Sequence, residues 1–151
     1  MEENYILSVT GTQTIGDSSD KIQLKTVASY VARNGSRYIT YKEYDAQNPD
    51  KKYRTTIKVD PNDIVTVMKN GTESHHLVLE TGERHKCEYI TPLGVIALGV
   101  YTEYVHVDLN DCGGDLTVRY TIDVESELAS RNELHLKLEE AQKNVNSESD
   151  S

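Results

Sequence analysis

The chain has 151 residues, with 16 Lys and Arg against 25 Asp and Glu, for a formal net charge of -9. That length supports one domain with a core of its own and no need of disulfide staples. The acid excess argues against nucleic acid and anionic membrane surfaces as partners, since both need clustered Lys and Arg.

The acidic opening MEENYILSVTGT has no basic or apolar leader segment, so a secretory signal is not expected. No apolar run approaches the ~20 residues of a membrane helix. These features point to the cytoplasm, where Cys87 and Cys112 are expected as reduced, unbonded thiols. They lack CxxC spacing, so neither a zinc site nor a thioredoxin motif is suggested. The aromatic set is ten tyrosines with no Phe or Trp. A buried Tyr still wants a partner for its hydroxyl, so tyrosines facing one interior would make it amphipathic.

In chain order, period-2 segments run over 5 to 12, 21 to 33, 37 to 44, 53 to 59, 64 to 69, 73 to 80, 84 to 90, 95 to 107 and 116 to 124. A last candidate, NELHLKLEE at 132 to 140, alternates Leu134, Leu136 and Leu138 with His135 and Lys137; the alternation favours strand over helix. Short turn signals separate the segments: GDSSD, NG, NPD, DPND, NG, TG, TPLG and NDCGG. With no strand–helix–strand rhythm, the expected fold is all-β: an antiparallel up-and-down meander of eight to ten strands closed into a barrel. The domain spans 1–143, and the polar stretch 144–151 is expected as a disordered tail.

Asn34-Gly35 is the strongest hairpin signal, because a type I′ turn needs positive φ at both central residues. It sets Arg33 opposite Ser36, Tyr30 opposite Ile39, Ala28 opposite Tyr41 and Thr26 opposite Glu43. Ile22, Leu24, Thr26, Ala28, Tyr30, Ile39, Tyr41 and Glu43 then face inward, and Tyr38 and Tyr44 outward. Turns at Asn70-Gly71 and at Thr81-Gly82-Glu83 group Met68, His75, Leu77, Leu79, His85, Cys87 and Tyr89 on one face, with Lys69, His76, Glu80, Lys86 and Glu88 on the other. Strand 116 to 124 turns Leu116, Val118, Tyr120, Ile122 and Val124 inward. Gly99 in the long eighth segment marks a bend in the wall.

Several constellations resolve into structural roles. Asn34-Gly35-Ser36 and Asn70-Gly71-Thr72 match a glycosylation pattern but read as turns. His75 and His76 point to opposite faces. His75 opposes Tyr89, four residues from His85, or roughly 13 Å at ~3.4 Å per residue, so no metal site is expected. No cofactor motif is present, and no nucleophile sits on a recognisable elbow. A buried Glu43 could serve as an acid or base, but the better reading is a structural carboxylate held by a cation or by hydroxyls, so an enzyme is not expected.

Taken together, a series of residues resembles a known family. The series is Tyr38-x-x-Tyr41-x-Glu43, Thr56-Ile57-Lys58-Val59, Val65-x-Val67-x-Lys69-x-Gly71, Tyr89-x-Thr91-Pro92-x-Gly94, Tyr101-Thr102, Gly114-x-Leu116-x-Val118-x-Tyr120 and Asn132-x-Leu134. In order and spacing it resembles the YwiB-like family of small bacterial proteins, over roughly residues 4 to 140. Lys69 and Leu79 stand where that family often has Arg and Phe. The resemblance implies a calycin-like, lipocalin-like barrel, a fold whose relatives often hold small amphipathic ligands, with no established activity.

Two functions follow as expectations. The first is a non-enzymatic barrel binding a small, partly apolar ligand in a cavity lined by Tyr30, Tyr41, Glu43, Tyr89 and Tyr120. The second is an interaction or scaffold protein with a filled barrel, acting through Tyr38, Tyr44 and nearby strand edges. An edge strand could also pair two copies about a two-fold axis.

Overall fold

The structure, a computed structural model, describes residues 3–44 and 50–141. The expected polar tail at 144–151 lies outside them.

Ten strands follow in order: β1 (Tyr5–Ile15), β2 (Ser18–Arg33), β3 (Ser36–Tyr44), β4 (Lys52–Val59), β5 (Val65–Gly71), β6 (Ser74–Leu79), β7 (Arg84–Thr91), β8 (Gly94–Asn110), β9 (Gly113–Val124) and β10 (Glu127–Glu140). Each pairs antiparallel with its sequence neighbours, and β1 pairs with β10, so the meander closes into a barrel. The stretch from 132 to 140 is strand, as its alternation requires.

Two long strands change partner along their length. β2 pairs with β1 over Ser18–Ala28 and with β3 only over Ser29–Arg33. β8 pairs with β7 over Gly94–Tyr101 and with β9 over Gly99–Asn110. The barrel is thereby divided into two halves, β3 to β7 on one side and β9, β10 and β1 on the other, with β2 and β8 as the corners. Gly99 sits at the β8 corner, paired at once with Lys86 and Asp123. A Cβ there would stand 2.1 Å from the Arg84 guanidinium, which grips Asp123 at 2.6 Å.

The Asn34-Gly35 turn is as the sequence requires, with φ of 55° and 84° and Arg33 opposite Ser36. Two other expectations are corrected. The β2–β3 ladder stops at Ser29–Thr40, so neither Ala28–Tyr41 nor Thr26–Glu43 forms; Glu43 pairs with Tyr53 of β4 instead. Ile22, expected inside, is 68% exposed, because the first part of β2 has left β3 and nothing among the described residues packs over it.

A further correction is one of register. The β5–β6 ladder places Lys69 opposite His75 and Met68 opposite His76. Asn70 and Gly71 therefore belong to β5 and carry no positive φ, and the chain reverses over Thr72 and Glu73. Lys69 has moved three residues along its partner, from Thr72 to His75, and any odd shift exchanges the faces of a strand. Lys69 points inward beside His75, and Met68 points outward.

Inward residues change character along the barrel. At one end they are apolar: Leu7, Ile39, Ile57, Val65, Leu79, Leu116 and Leu136 are almost wholly buried. Toward the other end the same strands present Gln13, Glu43, Tyr53, Lys69, His75, Tyr89, Tyr120 and Asn132. The apolar end is plugged by the β8–β9 turn. Tyr30 donates to the Asn110 carbonyl at 2.7 Å, Tyr5 donates to the Asp111 carbonyl at 3.1 Å, and Arg37 donates to the Asp111 carboxylate at 3.0 Å. The Tyr5 and Tyr30 rings meet edge to face at 5.1 Å.

Candidate functional site

The polar end holds a cavity of about 440 Å³ between the two halves of the barrel, open to solvent. One side is built from Glu43, Tyr44, Tyr53, Lys69, Glu73, His75, Leu77, Tyr89 and Leu98, and the other from Gln13, Tyr120, Ile122 and Asn132. Its size lies within the range of small-molecule sites.

Glu43 is fixed by its strand. Alternation along β3 carries Ile39, Tyr41 and Glu43 inward, from the deep core to the mouth. The carboxylate accepts a hydrogen bond from the Thr55 hydroxyl at 2.9 Å and lies 3.7 Å from the Lys69 ammonium. A partly buried carboxylate needs such partners. The Lys69 ammonium also stands over the Tyr53 ring, 4.9 Å from its centroid. A cation is thus seated against both a carboxylate and an aromatic face.

Across the mouth, the Tyr89 hydroxyl donates to Glu73 at 2.5 Å, and His75 meets the Tyr89 ring edge to face at 5.9 Å. The hydrogen bond to Glu73 pushes the Tyr89 hydroxyl up to about 12, with burial adding to it. Burial, aided by the Lys69 charge, lowers the His75 pKa, so the ring is neutral at pH 7. On the opposite wall Gln13 donates to the Asn132 side-chain oxygen at 3.3 Å, and Asn132 donates to the Ser130 hydroxyl at 3.0 Å.

Of the five tyrosine and glutamate residues expected to line a cavity, Glu43, Tyr89 and Tyr120 do so. Tyr41 lies beneath them, buried; burial, the Glu43 charge and hydrogen bonding with Glu43 raise its pKa. Tyr30 is at the opposite, plugged end. That separation follows from strand direction: Tyr30 opposes Ile39, four residues before Glu43. Sequence reasoning missed Lys69, through the register at Asn70-Gly71, and passed over Tyr53, although it alternates with inward Thr55 and Ile57. Asn132 carried a signal, as part of the series Asn132-x-Leu134. Gln13 carried none.

Tyr38 lies on the outer side and Tyr44, largely exposed, at the rim of the cavity, each with a lysine ammonium, Lys58 and Lys52, at 6.0 Å from its ring. Cys87 is buried and Cys112 exposed; both are free thiols. Among the described residues no group of His, Cys, Asp or Glu could hold a metal ion, and no helix is long and apolar enough to cross a membrane.

Comparison with curated proteins finds no match. Among solved structures, the crystal structure of the ywiB protein from Bacillus subtilis is similar, with a TM-score of 0.81 at 20% identity and 92% of each chain covered. The sequence profile of a domain of unknown function, DUF1934, matches residues 7–136. The barrel seen here is therefore the fold of the ywiB protein, and the chain belongs to the DUF1934 family, a YwiB-like family of unknown function.

Proposed function

We propose that this protein is a non-enzymatic binding barrel that takes a small, partly apolar molecule into the open end of its interior. The cavity of about 440 Å³ carries this reading. Its apolar lining comes from Leu77, Leu98 and Ile122, and its polar lining from Glu43, Lys69, Glu73 and the tyrosine hydroxyls. A site of that build buries an apolar body and orients a polar head. The open cavity also favours this reading over a scaffold with a filled barrel. Free thiols at both cysteines are in keeping with a reducing, cytoplasmic location.

The test is Nile red, a neutral amphipathic dye, added to the full chain while its fluorescence is followed. Uptake with one-to-one stoichiometry is expected, with loss of uptake in Ile122→Trp, where the larger ring fills the cavity. Native mass spectrometry of the fresh protein should show a co-purified small molecule in the wild type and none in that variant. No dye uptake and no adduct, or uptake unchanged in a folded Ile122→Trp, would remove the cavity as a ligand site.

A further inference from the structure

The chemical class of the ligand can be read from what the mouth already holds. Its charged side chains are Glu43, Lys69 and Glu73, with His75 neutral. Carboxylates outnumber cations, and the rings of Tyr53 and Tyr89 stand beside them. Negative charge beside aromatic faces is the environment that attracts organic cations.

A second observation bears on this independently. The Lys69 ammonium lies 4.9 Å from the Tyr53 centroid and 3.7 Å from Glu43. An alkyl ammonium is thus already seated on the ring and carboxylate of the mouth. The seat is loose: the Glu43 pair is long for a charge-assisted hydrogen bond, and the Lys69 side chain is 30% exposed. A lysine on a flexible four-carbon stem can swing away to solvent. Glu73, on the β5–β6 connection, accepts a hydrogen bond from the Tyr89 hydroxyl, and among the described residues no cation forms an ion pair with it.

We propose that the cavity takes an amphipathic organic cation, an amine or quaternary ammonium with an apolar chain. Its head displaces Lys69 from Tyr53 and Glu43 and is shared with Glu73, while its chain runs inward along Leu77 and Leu98. The proposal rests on the cavity being a ligand site. It adds the sign of the head group, which the size and polarity of the cavity leave open. Lys69 is then a resident competitor rather than an anchor.

The experiment displaces Nile red from the wild-type protein with decyltrimethylammonium and, separately, with decanoate, which share a chain and differ in charge. Decyltrimethylammonium is expected to displace the dye at a concentration about tenfold or more below that of decanoate, the scale of one partly desolvated cation contact. Glu43→Gln and Glu73→Gln should each weaken the cation by about three- to tenfold and leave decanoate no weaker, and Lys69→Met should strengthen the cation. Decanoate binding as well as or better than the cation would overturn the proposal and make Lys69 the anchor, while leaving the binding barrel in place. Displacement by neither compound, with the dye bound, would also overturn it. Failure of the dye itself to bind would instead remove the cavity as a ligand site, and the proposal with it.

Discussion

Lys69 and Tyr89 show what single side chains decide at the mouth. Lys69 gives Glu43 its cation, and Tyr89 gives Glu73 its donor. Tyr89 belongs to a wider set. The hydroxyls of Tyr5, Tyr30, Tyr41, Tyr89 and Tyr120 all titrate above their ordinary value of 10.0, mainly through burial except at Tyr89, where Glu73 leads. In the unfolded chain these groups lose protons near 10, while in the barrel they keep them. Between those values the unfolded state binds fewer protons, so stability is full below pH 10 and falls as pH rises beyond it. Urea midpoints measured from pH 8 upward should hold steady to about 10 and then fall through about 12, the region where Tyr89 ionises. An ultraviolet titration should show the same tyrosines ionising later than the rest. A midpoint that rose between those values would contradict the assignment.

At the scale of the element, the corners and the turns do the shaping. β8 can serve two partners because Gly99 leaves room for the Arg84–Asp123 pair at the point of exchange. Gly114, at the start of β9, is held more tightly. Its φ is +135°, and a Cβ would stand 2.0 Å from the Asp108 backbone carbonyl oxygen. Side-chain ends can move aside, whereas a backbone carbonyl in a ladder cannot. Gly114→Ala should therefore cost about 3 kcal/mol or more, from left-side backbone strain added to the clash. Gly99→Ala should cost clearly less, by shifting Arg84 toward solvent. Urea denaturation of the two variants decides the order; equal losses would mean that the Gly114 turn relaxes freely.

The whole molecule depends on closure between its first and last strands. β10 pairs with β1 from Tyr5–Glu140 to Thr14–Arg131, and with β9 over its full length. Leu7, Leu116 and Leu136 are buried together at this junction. Ending the chain at Val124 would leave β1 and β9 as bare edges and open the core to water. Such a chain should lose its cooperative thermal transition and aggregate, as judged by circular dichroism and light scattering. A soluble, cooperatively melting product would show that the barrel does not need its closing strand. Closure also explains why polarity can gather at one end. With the core filling the other end behind the Tyr5–Tyr30 plug, the open end carries little of the burial that holds the fold together.

Period-2 alternation and turn chemistry in the sequence determined the class of fold, the strand count within its expected range, the Asn34-Gly35 hairpin and the inward course of Ile39, Tyr41 and Glu43. These are local matters, settled within one strand or one tight turn. The first part of β10 was less legible. Glu125 and Ser126 turn with φ of 54° and 69°, a conformation their residue types do not announce, so the strand begins at Glu127 and not at 132. What tertiary structure alone decided is who meets Glu43. Asn70-Gly71 has the composition of a turn yet pairs within β5, because its ladder with β4 runs to Gly71, and the resulting three-residue shift in the β5–β6 register brings Lys69 inside. Gln13 and Asn132 reach the same mouth from strands far away in sequence, and Tyr30 is carried to the opposite end. Those outcomes follow from register, stagger and closure summed over ten strands, and no single segment encodes such a sum.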